Sequence, residues 1–421
     1  MIKAEEALRA KKESGADFAD VFRETTYSSS ALLEEGRIDK LSGGLICGTG
    51  VRTIKGRQTD YRFFAESKER LSSGLKENPL GARIAMLEKA DSSARKISPL
   101  IKQVSVNYGD VIQNIESANS NGSVSAGTRK RARFAINVIA AERGVIQTGF
   151  ETAGGTYGFE ELLKEDLEAL AVQAAERAVK MLSAKHAPSG KMPVVIMSEA
   201  GGTLIHEACG HGLEADFIEK GISIYKKIGE KVASELITVI DDATIPGLYG
   251  SFEFDDEGTP AKKKILIENG ILKGFMSDIY YSQLLGIESS GNGRRESFAE
   301  KPQPRMTNTY IATGTSDPGE IIASIKTGLL VKKLGGGQVN VTNGDFVFDV
   351  QESYLIEDGK IKEPLRGATL VGNGPEVLNN IDMVGTDLRF ITGTCGKGDH
   401  APVTDAMPTV RIKEIVVGGR A

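Results

Sequence analysis

Between residues 17 and 150 the chain repeatedly alternates apolar and polar positions, the period of strands with one buried face. The alternating stretches Asp17–Leu33, Gly36–Leu41, Ile46–Ile54 and Tyr61–Ala65 are separated by Gly turns and predict an antiparallel meander. A charged amphipathic helix over residues 2–14 precedes them. Ser67–Ile97 is helical in composition, interrupted at Asn78–Pro79, and Val104–Phe150 returns to strands around an Asn119–Gly122 turn. In Leu162–Ala184 the period lengthens. Leu167, Leu170, Ala171, Ala174, Ala178, Met181 and Leu182 fall at helical spacing. His186–Lys191 (HAPSGK) reads as a linker. These elements predict an N-terminal α+β domain with an antiparallel sheet over residues 1–185.

Beyond the linker, residues 192–421 predict a second, β-rich domain. It opens on the apolar run Val194–Met197, with Ser198 as a cap leading into a histidine-bearing helix. Ile265–Phe275 and Phe346–Ile361 carry Asn269-Gly270 and Asp358-Gly359 at their centres, strong two-residue hairpin signals. One amphipathic helix, Pro318–Lys326, interrupts the strands. With 49 glycines in the chain, a barrel or sandwich that carries the helix is the expected architecture. No solenoid-type repeat is present.

Charge narrows the partners. The net charge of −5 does not attract nucleic acid. One basic run, Arg129–Arg133 (RKRAR), lies in an alternating stretch and reads as a solvated strand face. The N-terminal residues lack the apolar core of a signal peptide, and no apolar run approaches the ~18 residues of a membrane span. Cys47, Cys209 and Cys395 form no visible disulfide framework. A reduced cytoplasmic compartment is expected, in which a thiolate is free to act as a ligand. Cys47, in a Gly-rich strand, reads as a small core residue.

The chemistry concentrates in GGTLIHEACGHGLEAD, Gly201–Asp216, which holds two of the four histidines. His206 and His211 are five residues apart, about 140° around a regular helix, too far to share one ion. They converge only if the helix is irregular between them. A π-bulge adds the needed residue, and ending the helix at Gly210 on a left-handed torsion also suffices. Two imidazoles and one anionic ligand leave the fourth position of a zinc ion to water, whose proton a neighbouring carboxylate such as Glu207 accepts. The spacing leaves the third ligand open among Cys209, Glu214, Asp216 and Cys395, the last in the glycine-rich FITGTCGKGDH.

Several blocks beyond the motif join it in one pattern. HEACGHGLEAD, FDDEGTP (254–260), IENGIL (267–272), GNGRR (291–295), RMTNTY (305–310), DFVFDV (345–350), YLIEDGKI (354–361), RGATLVGNGPEVL (366–378) and CGK (395–397) resemble the blocks of the TldD/PmbA family of zinc metallopeptidases, in family order and on its TldD branch. The resemblance covers most of residues 192–397 and extends weakly to Gly36-Arg37-Ile38 and Gly48–Arg52. It implies His206, His211 and Cys395 as zinc ligands, Glu207 as general base, and Cys209 as a bystander. It also implies a dimer, homomeric or with a TldE/PmbA-like chain, that cleaves short or unfolded peptides bound as an added strand. Arg57–Phe64 and Asp399-His400 depart from the family pattern, which bears on substrate and partner choice, and His400 is expected to be exposed.

The expected function is therefore that of a cytoplasmic zinc peptidase, with no membrane or nucleic-acid partner. Its rivals are a zinc amidase on a modified substrate and a non-catalytic peptide-binding or regulatory subunit with a structural metal. Among the other polar blocks, Asp255-Asp256-Glu257 lacks calcium-loop spacing and reads as a cap or interface patch. Gly291–Arg295 reads as a structural turn, or as arginines that grip a substrate carboxylate or a partner. Gly335–Gly337 reads equally as a close backbone approach or a hinge.

Overall fold

The computed structural model describes residues 3–70 and 80–419. Six long strands form one antiparallel sheet: β1 (Phe18–Glu34), β2 (Arg37–Lys55), β3 (Gln58–Arg70), β4 (Ile101–Asn119), β5 (Val124–Glu142) and β6 (Val145–Gly155). Their order is β3-β2-β1-β4-β5-β6, so β1 and β4 meet at the centre and a meander runs outward on each side. β2 is continuous where the sequence pattern suggested two pieces, because its glycines keep the ladder with β1 unbroken through Gly43, Gly44, Gly48 and Gly50. The helical reading of Ser67–Ile97 is corrected at its start. Residues through Arg70 extend β3, pairing with β2, and the helix spans Leu80–Arg95. The expected break at Asn78–Pro79 lies outside the described residues.

That helix and Leu167–Leu182 pack on one face of the sheet. Leu87, Ala90 and Ala94 of the first meet Ala171, Ala174 and Ala178 of the second over Val104, Val106, Phe134 and Ile136. Asp166 caps the second helix by accepting the amide of Ala169. The fit is close enough to demand glycine at Gly149, where a Cβ would stand 1.9 Å from the carbonyl oxygen of Ala174.

The remainder is built from two further large sheets. In one, Thr327–Val339, Gly190–Ile196, Val410–Gly418, Thr369–Asn373 and Asp345–Glu357 follow each other, and the first pairs again with the last, closing a barrel. In the other, Val239–Asp242, Asn308–Ile311, His400–Met407 and Arg389–Gly396 lie side by side. One apolar core runs through both and encloses the histidine segment. Both expected hairpins are present. Asn269 and Gly270 take φ of 49° and 79°, and Asp358 and Gly359 take 48° and 71°, as a type I′ turn requires. The expected linker is partly strand, since Lys185–His186 pairs in parallel with Leu365 and Arg366.

The basic run RKRAR is not a solvated face. Alternation on β5 turns Arg129 and Arg131 toward the second part of the chain. Arg131 donates to the carbonyls of Tyr249 and Ser251, and Arg129 pairs with Asp256 and donates to the carbonyl of Phe254. Asp256 and Glu257 form the interface patch foreseen for them, within the chain, with Glu257 on Arg52. Arg294 and Arg295 are buried, donating to the Met306 carbonyl, the Tyr61 hydroxyl and the Asp256 carbonyl, and so brace the fold instead of gripping a ligand. Cys47 is also corrected. It is half-buried, its Sγ 3.2 Å from the Thr25 hydroxyl, not packed in the core.

Candidate metal centre

The histidine segment is irregular where the spacing requires it. A short α-turn, Thr203–Ile205, passes into a π-turn over His206–Gly210 and then a 3₁₀ turn over His211–Leu213. The π-turn absorbs the fifth residue between the two histidines. Gly210 stays right-handed, with φ −52° and ψ −59°, so the left-handed alternative is not used. Glycine is needed there for space instead. A Cβ on Gly210 would lie 2.3 Å from Met306 Sδ, and one on Gly212 2.8 Å from the Tyr225 ring. Gly202, just upstream, has the backbone nitrogen of Ala406 2.3 Å from where its Cβ would be, which lets the segment lie against the strand His400–Met407.

The two rings stand edge to face, centroids 4.8 Å apart. Cys395, from the remote strand Arg389–Gly396, lies between them: its Sγ is 3.2 Å from His206 Nε2 and 3.5 Å from His211 Nε2. The three ligand-type atoms lie within 4.8 Å of one another, and no fourth His, Cys, Asp or Glu joins them among the described residues. In a tetrahedral zinc site with Zn–N near 2.0 Å and Zn–S near 2.3 Å, sulfur and nitrogen are about 3.5 Å apart. The two sulfur–nitrogen distances match that spacing.

Each imidazole is held from behind. His206 Nδ1 is 3.0 Å from Asp405 Oδ1, and His211 Nδ1 is 3.0 Å from Glu214 Oε2. Carboxylates on Nδ1 leave both Nε2 atoms to face the cysteine, the arrangement that orients metal-binding histidines. Burial opposes the ionisation of Glu214, but Lys397 and then His211 bring its pKa down to about 2. Burial likewise opposes ionisation of Cys395, yet hydrogen bonds from His206 and His211 outweigh it and lower the thiol to about 5. Arg305 Nη2 also donates to the Cys395 carbonyl at 2.7 Å. Glu207 is half-buried. Burial raises its pKa, against the fields of His206 and His211, which lower it.

The structure thus brings His206, His211 and Cys395 together and sorts the other candidates. Glu214 supports His211 through Oε2 and lies outside the three-residue cluster. Asp216 pairs with Lys397 at 2.6 Å. Cys209 points away, its Sγ 3.5 Å from the Ile205 carbonyl, with burial raising its pKa. His400 is exposed, beside Glu296. Asp405 went unnoticed in the sequence because no spacing links it to the histidine segment. Glu214 carried a signal, three residues after His211, but toward ligation. Replacing Asp405 by Asn is expected to weaken metal binding about 10- to 100-fold, because the imidazole loses its charged anchor. Competition with a chelating dye would measure the change, and an unchanged affinity would remove Asp405 from the centre.

Fold and cluster together define a class: an α+β chain with a closed barrel and a buried cluster of two histidines and one cysteine that could hold a metal ion. Family models described as PmbA/TldA metallopeptidase domain 1, central domain and C-terminal domain match residues 19–78, 74–182 and 189–419. The chain belongs to the PmbA/TldD family. It is 38% identical to the metalloprotease TldD homolog of Haemophilus influenzae, over 96% of this chain and 93% of that one. It is 29% identical to the zinc metalloprotease TldD homolog of Saccharolobus solfataricus, over 98% and 97%. The crystal structure of TldE from Thermococcus kodakarensis superposes with a TM-score of 0.79 at 21% identity, covering 99% of each chain, a likeness of fold. Among the described residues no helix is long and apolar enough to cross a membrane.

Proposed function

We propose that the chain is a zinc peptidase acting on short or unfolded peptides, with His206, His211 and Cys395 as the metal ligands and Glu207 as the general base. The observation that carries this is the three-ligand cluster beside a carboxylate. A structural zinc site fills all four positions with protein ligands, whereas a catalytic one keeps a position open. Nitrogen and thiolate donors suit zinc, and the Saccharolobus relative bears zinc in its name.

When bound, zinc acidifies water and polarises a carbonyl. The chain's own residues do the rest. Asp405 and Glu214 keep both imidazoles neutral at Nε2 and correctly turned once an ion is present. Glu207 takes the proton of the attacking water on its carboxylate and delivers it to the leaving amine. Burial, which raises the Glu207 pKa, makes it a better base once ionised. The barrel and its sheets offer main-chain edges to which an extended peptide can add, a mode that accepts many side chains.

The same reading divides the chain at residues 1–185 and 192–421, the second part supplying all four site residues. It places the protein in the cytoplasm and pairs it with a second copy or a TldE/PmbA-like chain. Phe63 and Phe64, 54% and 59% exposed on opposite faces of the edge strand β3, leave that edge apolar for a partner to cover.

The test is a mixture of short unstructured peptides followed by mass spectrometry, before and after chelation. Cleavage that stops with chelator and returns with added zinc supports the reading. Cleavage that chelator leaves untouched would refute it, as would none at all from the zinc-loaded chain both alone and with a TldE-like partner.

A further inference from the structure

Between the sheet edge at β5 and β6 and the barrel lies a cleft of about 420 Å³. It adjoins the metal centre from behind, because Asp405, which holds His206 at Nδ1, forms part of its wall. Two cationic side chains line it. Lys333 is already paired, its Nζ 3.0 Å from Glu151. Arg133 is not. Its Nε is buried without a hydrogen-bond partner, and the side chain makes no ion pair among the described residues. Gln351, on the same cleft, shares this condition. Its amide Nε2 donates to the Thr148 hydroxyl while its Oε1 is buried and unpartnered. A folded chain leaves few such atoms unmet, because each costs its hydration without return. The nearby carboxylate on the cleft, Asp405, is committed to His206.

The backbone beside them is also open. Leu334 pairs with Val350 and Gly337 with Phe348, so Gly335 and Gly336 together oppose Asp349 alone, a bulge in the ladder. A Cβ on Gly336 would meet nothing within 4 Å. An extended chain can therefore approach this edge closely. A guanidinium presents paired donors that match one kind of group best, a carboxylate.

We propose that Arg133 anchors a carboxylate of the peptide substrate in this cleft, with Gln351 beside it. The inference rests on the peptidase reading of the metal centre. Arg133 pairs across β5 and β6 with Gly154, whose carbonyl accepts the Thr392 hydroxyl at 2.9 Å. Thr392 precedes Cys395 by three residues on one strand, about 10 Å at ~3.3 Å per residue. On that spacing the anchored carboxylate is proposed to sit some three residues from the scissile bond. It belongs either to the peptide's C-terminus or to an acidic side chain.

Matched peptides separate the two sources: free acid against C-terminal amide, and Asp or Glu against Asn or Gln at the third residue from the cleavage point. One of these changes is expected to raise KM about 10- to 100-fold in the unsubstituted chain, the scale of a charge-assisted bidentate contact. Arg133→Gln is expected to erase the difference, and Arg133→Lys to keep part of it. Equal KM for all peptides in the unsubstituted chain overturns the proposal, and this comparison needs no variant to fold. So does a uniform loss across all peptides in Arg133→Gln, which marks a structural arginine. Calorimetric binding of the same peptides to the Glu207→Gln chain separates the two readings. A carboxylate preference in this binding, with no cleavage by the unsubstituted chain, would leave the anchor and sink the peptidase, whereas cleavage by the unsubstituted chain without preference would do the reverse. No binding by any peptide overturns the anchor as well.

Discussion

The Glu207→Gln chain is expected to keep its metal and to lose about 100- to 10,000-fold in kcat, the usual share of a positioned general base. Glutamine preserves the shape of the side chain, and Glu207 is not among the three clustered ligand-type residues, so the centre should assemble unchanged. KM should move little, because the proton transfer is made in the transition state and not on binding. The measurement is kcat and KM on one peptide, beside zinc content per chain. A variant with full zinc and full activity would leave no base role for Glu207. The cleavage would then come from a different base or from a contaminating peptidase. Loss of zinc together with activity would mean that Glu207 is a ligand.

The two kinds of periodicity reached different depths. Period-two alternation located the long strands of the first sheet because one face of that sheet is buried under two helices and must be apolar. The same alternation misjudged Arg129 and Arg131. They occupy inward positions, and only the opposing carbonyls of Tyr249 and Ser251 and the carboxylate of Asp256 make arginine acceptable there. Those partners lie more than a hundred residues away, where no local pattern can see them. The centre divides in the same manner. The misfit of a five-residue spacing to a regular helix demanded an irregularity, and the π-turn over His206–Gly210 supplies it. The carboxylate behind His206 could not be found, because Asp405 is brought to it where Gly202 lies against Asp405 and Ala406 of the strand His400–Met407. Neither hydropathy nor spacing within one segment encodes a contact of that range.

Cys395 tests whether the centre is one unit. His206 and His211 come from a single bulged segment, but the third donor arrives on a different strand, so an ion held by all three ties the two together. Serine keeps the size of the side chain and removes the thiolate, whose pKa the imidazoles hold near 5 against the effect of burial. The Cys395→Ser chain is expected to copurify with little zinc and to show no detectable cleavage. It should also lose the stabilisation that zinc is expected to confer on the unsubstituted chain, about 4 kcal/mol when the ion stands at roughly a thousand times its Kd. Thermal melts with and without added zinc read this directly, since a ligand that binds only the folded state raises Tm and a weakly bound one does not. Zinc-free melts of the two chains should lie close together, because the change costs little packing. Full zinc content in Cys395→Ser would move the third ligand elsewhere. One alternative, Glu214, is held through Oε2 by His211 and Lys397 at 3.0 and 3.1 Å and lies outside the cluster. The sulfur of Cys395 faces both Nε2 atoms, which makes Cys395 the ligand the geometry favours.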